Sequence, residues 1–165
     1  MKKVAVIMGS DSDLPVVSDA IKLLKNFDIP IEAHVISAHR TPQQAEQFAT
    51  NARSNGFGVI IAAAGKAAHL AGVLAAYTSL PVIGLPIISS TLDGLDSLLS
   101  IVQMPSGVPV ATVAIGGAHN AALLAIQILS VTNKNLAAKL DAYKLKMAEN
   151  VMFKDKLLQK ELSKI

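Results

Sequence analysis

The sequence has no cysteine and no tryptophan, and its aromatic side chains are limited to four Phe and two Tyr. Without cysteine, neither a disulfide framework nor a thiolate metal site can form, and the absence fits a cytoplasmic protein. None of the six aromatic residues is interleaved with basic residues as a stacking platform for nucleic-acid bases. Long apolar runs are also missing: Gly, Pro or polar residues interrupt every stretch before the roughly 20 residues that a membrane helix needs. The start, Met1 to Met8, has a faint signal-peptide character, but the run is short and Gly9-Ser10-Asp11-Ser12-Asp13 cuts it off with charge. The sequence therefore predicts a soluble cytoplasmic protein with no membrane and no nucleic-acid partner.

Charge is scarce as well, at 16% of the chain against 52% hydrophobic residues. So little polar material covers a monomer of this size poorly, which points to surface buried between identical subunits. The pI of 9.2 invites a nucleic-acid reading that the distribution of charge opposes. Residues 134–165 hold eight Lys and four acids, a net of +4, while residues 1–133 carry a net of −1. The basic excess thus belongs to a tail in which Lys and acids mix at helical spacing, the pattern of a solvated helix face.

A chain of 165 residues suits one domain. Short apolar runs alternate with helical patterns along it. Lys3–Met8, Glu32–Ile36, Gly58–Ala63, Pro81–Leu85 and Val108–Ile115 read as strands. Between and after them come helical stripes: Leu14, Val17, Ile21 and Leu24; Ala45, Phe48, Ala49 and Ala52; Leu70, Val73, Leu74 and Tyr77; Leu92, Leu95, Leu98, Leu99 and Val102; then an apolar helix over Ala118–Val131. Thr41-Pro42-Gln43-Gln44 has the form of a capping box with Pro in the first turn. Apolar strands each followed by a helix predict a parallel sheet covered on both faces. That is a doubly wound α/β fold, a flavodoxin-like three-layer sandwich on five strands. One domain is expected over 1–165, with an α/β core at 1–132 and a C-terminal helical extension at 133–165. The extension is striped by Leu136, Leu140, Tyr143, Met147 and Val151; it either packs on its own domain or reaches onto a neighbouring subunit.

In such a sheet, ligands bind at the carboxyl ends of the strands, near the switch in strand order. Three polar clusters fall there. Gly9-Ser10-Asp11-Ser12-Asp13 offers hydroxyls and free N–H groups at a helix start, which suit phosphate, and carboxylates that suit sugar hydroxyls; simple helix capping explains it equally. In Ser37-Ala38-His39-Arg40-Thr41-Pro42, His39 can exchange protons near neutral pH and Arg40 can grip a phosphate through paired hydrogen bonds; a surface His-Arg pair at the start of a capped helix explains the cluster equally. In Gly65-Lys66-Ala67-Ala68-His69-Leu70, small residues leave room for a planar ligand. There His69, at a helix start where a cation is disfavoured, either hydrogen-bonds as a neutral group or serves structurally. His34 reads as structural, and His119 opens a helix near the same crevice. Acids and histidines at metal-ligand spacing are missing, so no metal is expected, and neither a Walker A loop nor a Gly-x-Gly-x-x-Gly fingerprint is present.

Met8-Gly9-Ser10-Asp11-Ser12-Asp13, Ser37-Ala38-His39-Arg40-Thr41-Pro42, Ala67-Ala68-His69-Leu70, the run from Asp96 to Pro105 and Asn120-Ala121-Ala122-Leu123-Leu124-Ala125 together resemble the N5-carboxyaminoimidazole ribonucleotide mutases, in register over roughly residues 3–131. The resemblance implies a flavodoxin-like subunit of a homo-octamer. Without metal or cofactor, it moves a carboxyl group from nitrogen to carbon in de novo purine synthesis. It puts the catalytic histidine at His39. Ser10, Ser12, Asp13 and Arg40 fall on contacts to phosphate and ribose, Ser37 and Ala38 on the loop beside the substrate. Gly65, Ala67, Ala68, His69 and Leu70 fall on the loop over the imidazole and its carboxylate. The chain departs from many relatives at Lys66 and Ala63, where glycine is frequent. The animal-type branch, which carboxylates aminoimidazole ribonucleotide directly with CO2, is the nearest alternative; it carries Lys in place of Arg40 and a different loop at Ala67–Leu70. A flavin- or nucleotide-binding protein of the same fold is the non-enzymatic alternative.

Overall fold

The computed structural model describes residues 1–90 and 92–165. These form two compact units, Met1–Leu129 and Ser130–Ile165. The first is built on five parallel strands in the order β2-β1-β3-β4-β5: β1 Lys3–Met8, β2 Ile31–Val35, β3 Phe57–Ala64, β4 Val82–Pro86 and β5 Ala111–Thr112. Helices α1 Leu14–Asn26, α2 Pro42–Asn51, α3 Leu70–Tyr77, α4 Leu95–Val102 and α5 Ala118–Ser130 connect and follow the strands, and cover both faces of the sheet. The doubly wound flavodoxin-like arrangement expected from the strand pattern is the one found.

Strand alternation divides the core. Ala5, Ile7, Ile60, Ala62 and Ala64 point to one face, where Ala45 and Ala49 of α2 and Leu70, Ala71 and Leu74 of α3 pack on them. Val4, Val6, Ile61 and Ile83 alternate to the other face and are equally closed to solvent. Because the central strands are buried on both sides, they are apolar at nearly every position. Small residues let the layers approach: a Cβ on Gly84 in β4 would stand 2.2 Å from Ile101 Cγ2 and 3.0 Å from Val110 Cγ1.

Several expectations need correction. β2 is an edge strand, and Glu32 to Val35 are exposed rather than covered. The fifth strand shrinks from Val108–Ile115 to Ala111–Thr112, because Pro109 supplies no N–H to a ladder; beyond it only scattered bonds persist, such as Gly116 N–H to Pro86 O at 2.9 Å. Thr41 does not cap α2 through its side chain. Its hydroxyl instead accepts from Ser37 N–H and donates to Ser37 O, closing the loop before the helix. The segment before α4 opens with Leu92 and Asp93 at positive φ, and α4 turns its leucines outward. Leu95, Leu99 and Val102 are 45–48% exposed, while Ser97 and Ile101 are fully buried. Leu14 and Tyr77, expected on inner faces, are half exposed.

The second unit is dominated by α6, Lys134–Leu162, whose N-cap Asn133 accepts from Leu136 N–H through its side chain. Leu136 and Leu140 of the expected stripe are buried, whereas Met147 and Val151 are exposed. Among the described residues no helix is long and apolar enough to cross a membrane.

Candidate active site

The order of strands reverses between β1 and β3, and the carboxyl ends of these two strands open a crevice. Backbone bonds hold its loops to the sheet. Gly9 N–H donates to Ala63 O at 3.0 Å, Ile36 N–H to Met8 O at 2.9 Å, and Ile87 N–H to Ala64 O at 2.9 Å. The loops after β1, β2, β3 and β4 thus start from fixed points around one cavity of ≈ 620 Å³, a size that suits a small ligand.

The loop after β1 is tied to itself. Ser12 Oγ–H donates to Ser10 Oγ at 2.8 Å, and Ser10 N–H donates to the Asp13 carboxylate at 3.2 Å, so Ser10 and Asp13 form a reciprocal cap on the short turn that leads into α1. Burial pushes the Asp13 carboxyl up from its ordinary value; the Ser10 N–H bond pulls it back, and Asp11 nearby pushes further. A carboxylate so placed gains from a hydroxyl donor such as a ribose.

The loop after β2 brings Ser37, Ala38, His39 and Arg40 to the cavity. Ser37 Oγ accepts from Arg40 N–H at 3.2 Å and from Arg40 Nε–H at 3.3 Å, while Arg40 Nη2–H donates to Gly9 O at 3.3 Å. These long bonds aim the guanidinium across the end of β1 toward the serine loop and leave its other N–H groups available. That is the geometry for a paired grip on a phosphate.

The loop after β3 contributes Gly65, Lys66, Ala67, His69 and Leu70. Lys66 adopts φ +58, a left-handed conformation that costs a non-glycine residue on the order of 1–2 kcal/mol. Ala68, expected to touch the ligand, does not line the cavity: it is 1% exposed and joins the core under α3. His69 starts α3 without capping it through its side chain. It meets His39 instead, with His39 Nε2 2.8 Å from His69 Nδ1 and the rings edge to face, centroids 4.9 Å apart. One proton lies between the two nitrogens in such a contact, since two N–H groups would clash. One ring nitrogen therefore donates to the other.

The loop after β4 completes the wall with Ile87, Ile88, Ser89 and Ser90, which the sequence reading did not single out. Ser89 Oγ–H donates to the Asp96 carboxylate at 2.9 Å, tying this loop to the first turn of α4. The one available signal was position, since these residues follow a strand next to the switch point. His34 lies outside the cavity on β2, 3.8 Å from Glu32 and beside the Phe48 ring. His119 is exposed and does not line the cavity either. Among the described residues no group of three His, Asp or Glu is placed to hold a metal ion.

The cavity thus brings together the Arg40 guanidinium, a hydrogen-bonded histidine pair and several small residues. The family model described as AIR carboxylase matches residues 3–150. An N5-carboxyaminoimidazole ribonucleotide mutase of Mycobacterium tuberculosis is 56% identical over 163 residues, covering 99% of this chain and 94% of its own. A protein of the same name from Pyrococcus abyssi is 60% identical, covering 87% of this chain and 83% of its own. The crystal structure of Treponema denticola PurE superposes with a TM-score of 0.86 at 28% identity, over 93% of this chain and 96% of that one.

Proposed function

The chain belongs to the AIR carboxylase family, and from that premise we propose how its site works as an N5-carboxyaminoimidazole ribonucleotide mutase of purine synthesis. The observation that carries the proposal is the His39–His69 contact at 2.8 Å, set beside Arg40 in a cavity of small residues. The substrate bears a phosphate at one end and a carbamate on the exocyclic nitrogen of an aminoimidazole at the other. Arg40, with Ser10 and Ser12, takes the phosphate, and Asp13 accepts from a ribose hydroxyl. The ring lies against Ser37, Ala38, Gly65, Ala67 and Leu70, facing the two histidines.

His39 delivers a proton to the exocyclic nitrogen. The N–C bond breaks with its electron pair going to nitrogen, and CO2 is released into the pocket. Ring carbon C4 then attacks CO2, and neutral His39 removes the C4 proton. One group serves as acid and then as base, as suits a histidine, while His69 orients it through their shared hydrogen bond. Retention of CO2 beside the ring supplies the proximity advantage.

A spectroscopic assay with the carbamate tests this reading. Conversion is expected without added bicarbonate or ATP. Strict dependence on bicarbonate, with aminoimidazole ribonucleotide as the good substrate, would transfer the chain to the direct carboxylases; Arg40 and the Ala67–Leu70 loop favour the mutase.

The protein acts as a homo-oligomer, an octamer by resemblance, in the cytoplasm. Support for assembly comes from α4, where Leu95, Leu99 and Val102 recur at helical spacing with nearly half their surface in solvent. Analytical ultracentrifugation is expected to show a species many times the 17.2 kDa chain mass. A stable, active monomer would contradict it.

A further inference from the structure

We propose that Lys66 is the cation that receives the migrating carboxylate and keeps it in the site, a specificity role that rests on the reaction assigned above. Three observations support it. First, Lys66 lines the same cavity as His39, His69 and Arg40. Second, its backbone sits at φ +58, where glycine would be free of strain, so a lysine there needs a compensating use. Third, no acid lies within ion-pairing distance of its ammonium among the described residues, so its charge is free for a ligand.

Position assigns it to the carboxylate rather than the phosphate. Arg40 follows His39 in the loop after β2, and its guanidinium reaches back over the end of β1 to Gly9 O and Ser37 Oγ. Lys66 precedes His69 in the loop after β3. The histidine pair joins these two loops, so the cations belong to opposite flanks of the reacting centre. A ligand with anionic groups at both ends, and its ring at the histidines, meets one cation at each. Among the described residues that line the cavity only Asp13 is acidic, and it is engaged with Ser10 N–H in the loop after β1.

The chemistry gives Lys66 a defined consequence. As C4 attacks CO2, a C–C bond forms and one C=O π pair moves onto oxygen; the C4 proton goes to His39, and Lys66 transfers none. An ammonium attracts the carboxylate that results far more strongly than neutral CO2. It therefore favours recapture over escape and holds carboxylated nucleotides in preference to the decarboxylated one.

The test uses the full chain and its Lys66→Gly, Lys66→Gln and Lys66→Arg variants. Binding of the carboxylated product and of aminoimidazole ribonucleotide is measured, together with retention of carboxyl label during turnover in unlabelled bicarbonate. Lys66→Gly and Lys66→Gln are expected to weaken product binding roughly tenfold, the low end for a charge-assisted hydrogen bond. Aminoimidazole ribonucleotide should bind as before, label loss should rise several-fold, and Lys66→Arg should stay near the unsubstituted protein. Lys66→Gly should melt no lower than the unsubstituted protein, because glycine relieves the left-handed strain. Equal weakening for both nucleotides, unchanged label retention, or a lowered melting temperature in Lys66→Gly would overturn the proposal. If the unsubstituted protein fails to convert the carbamate, the reaction assignment falls and takes Lys66 with it. If it converts the carbamate and the variants do not discriminate, Lys66 alone falls.

Discussion

Asn at position 39 should slow the chemical step by at least about 10⁴-fold, the upper end of what a general acid–base group supplies, while leaving nucleotide affinity close to normal. The size follows from the double use of one imidazole. In the proposed mechanism the same group protonates nitrogen and deprotonates carbon, so both transfers fail together. Asn is uncharged and similar in shape, and His39 is solvent-exposed where it lines the cavity, so folding does not depend on it. His69→Asn should cost less, because His69 touches the reaction through His39 Nε2 at 2.8 Å and an amide keeps one hydrogen bond there. Single-turnover rates measured with ligand affinity separate the two. Near-normal turnover by a correctly assembled His39→Asn protein would remove His39 from the mechanism and make His69 the acid–base group.

The sheet was legible because buried parallel strands leave a plain mark. β1 and β3 are paired on both sides and covered on both faces, so apolar residues run unbroken from Val4 to Met8 and from Val59 to Ala64. The edges were less legible for the same reason. β2 and β5 are each paired on one side only, so pairing constrains them weakly; β2 tolerates Glu32 and His34, and β5 ends after two residues. Hydrophobicity misled most at α4. Its leucines mark a helix but do not tell which way it faces. The buried position went to Ser97, whose hydroxyl lies 2.8 Å from Ile87 O and 2.7 Å from Gly94 O; a small polar group that satisfies its hydrogen bonds inside is as good a core residue as the site needs.

The site was legible at the level of loops and not at the level of side chains. Strand ends and polar clusters located Ser10, Ser12, Asp13, Ser37, His39, Arg40 and His69, all of which the structure gathers at one cavity. Two kinds of information were missing. Contact between His39 and His69 spans 30 residues of sequence, a closure that depends on β1 lying between β2 and β3. Orientation within a short turn was equally hidden: Ala67 faces the cavity while its neighbour Ala68 packs into the core. Composition treats the two alanines alike. The wall formed by Ile87 to Ser90 carried no titratable group to draw notice, although Ser89 fixes it through Asp96.

Arg40→Ala should weaken binding of the nucleotide by about 1.5–3 kcal/mol, the range for a hydrogen bond to a charged group, which is more than tenfold in affinity. The corresponding nucleoside, which lacks the phosphate, should be nearly indifferent. The contrast matters because Arg40 has two possible roles. Its guanidinium either binds the ligand or braces the loops by bonding Gly9 O and Ser37 Oγ. Those bracing bonds are 3.3 Å long and solvent-exposed, too weak to organise two loops that the sheet already holds by shorter backbone bonds. The expected result therefore rests on ligand contact as the proposed role of Arg40. Arg40→Lys refines the test, since lysine keeps the charge and loses the planar fork; it should recover part of the affinity and leave the dependence on phosphate in place. Titration calorimetry with nucleotide and nucleoside on the three proteins measures all of this. Equal losses for both ligands would assign Arg40 to loop bracing and move the phosphate toward the N–H groups and hydroxyls of Ser10 and Ser12.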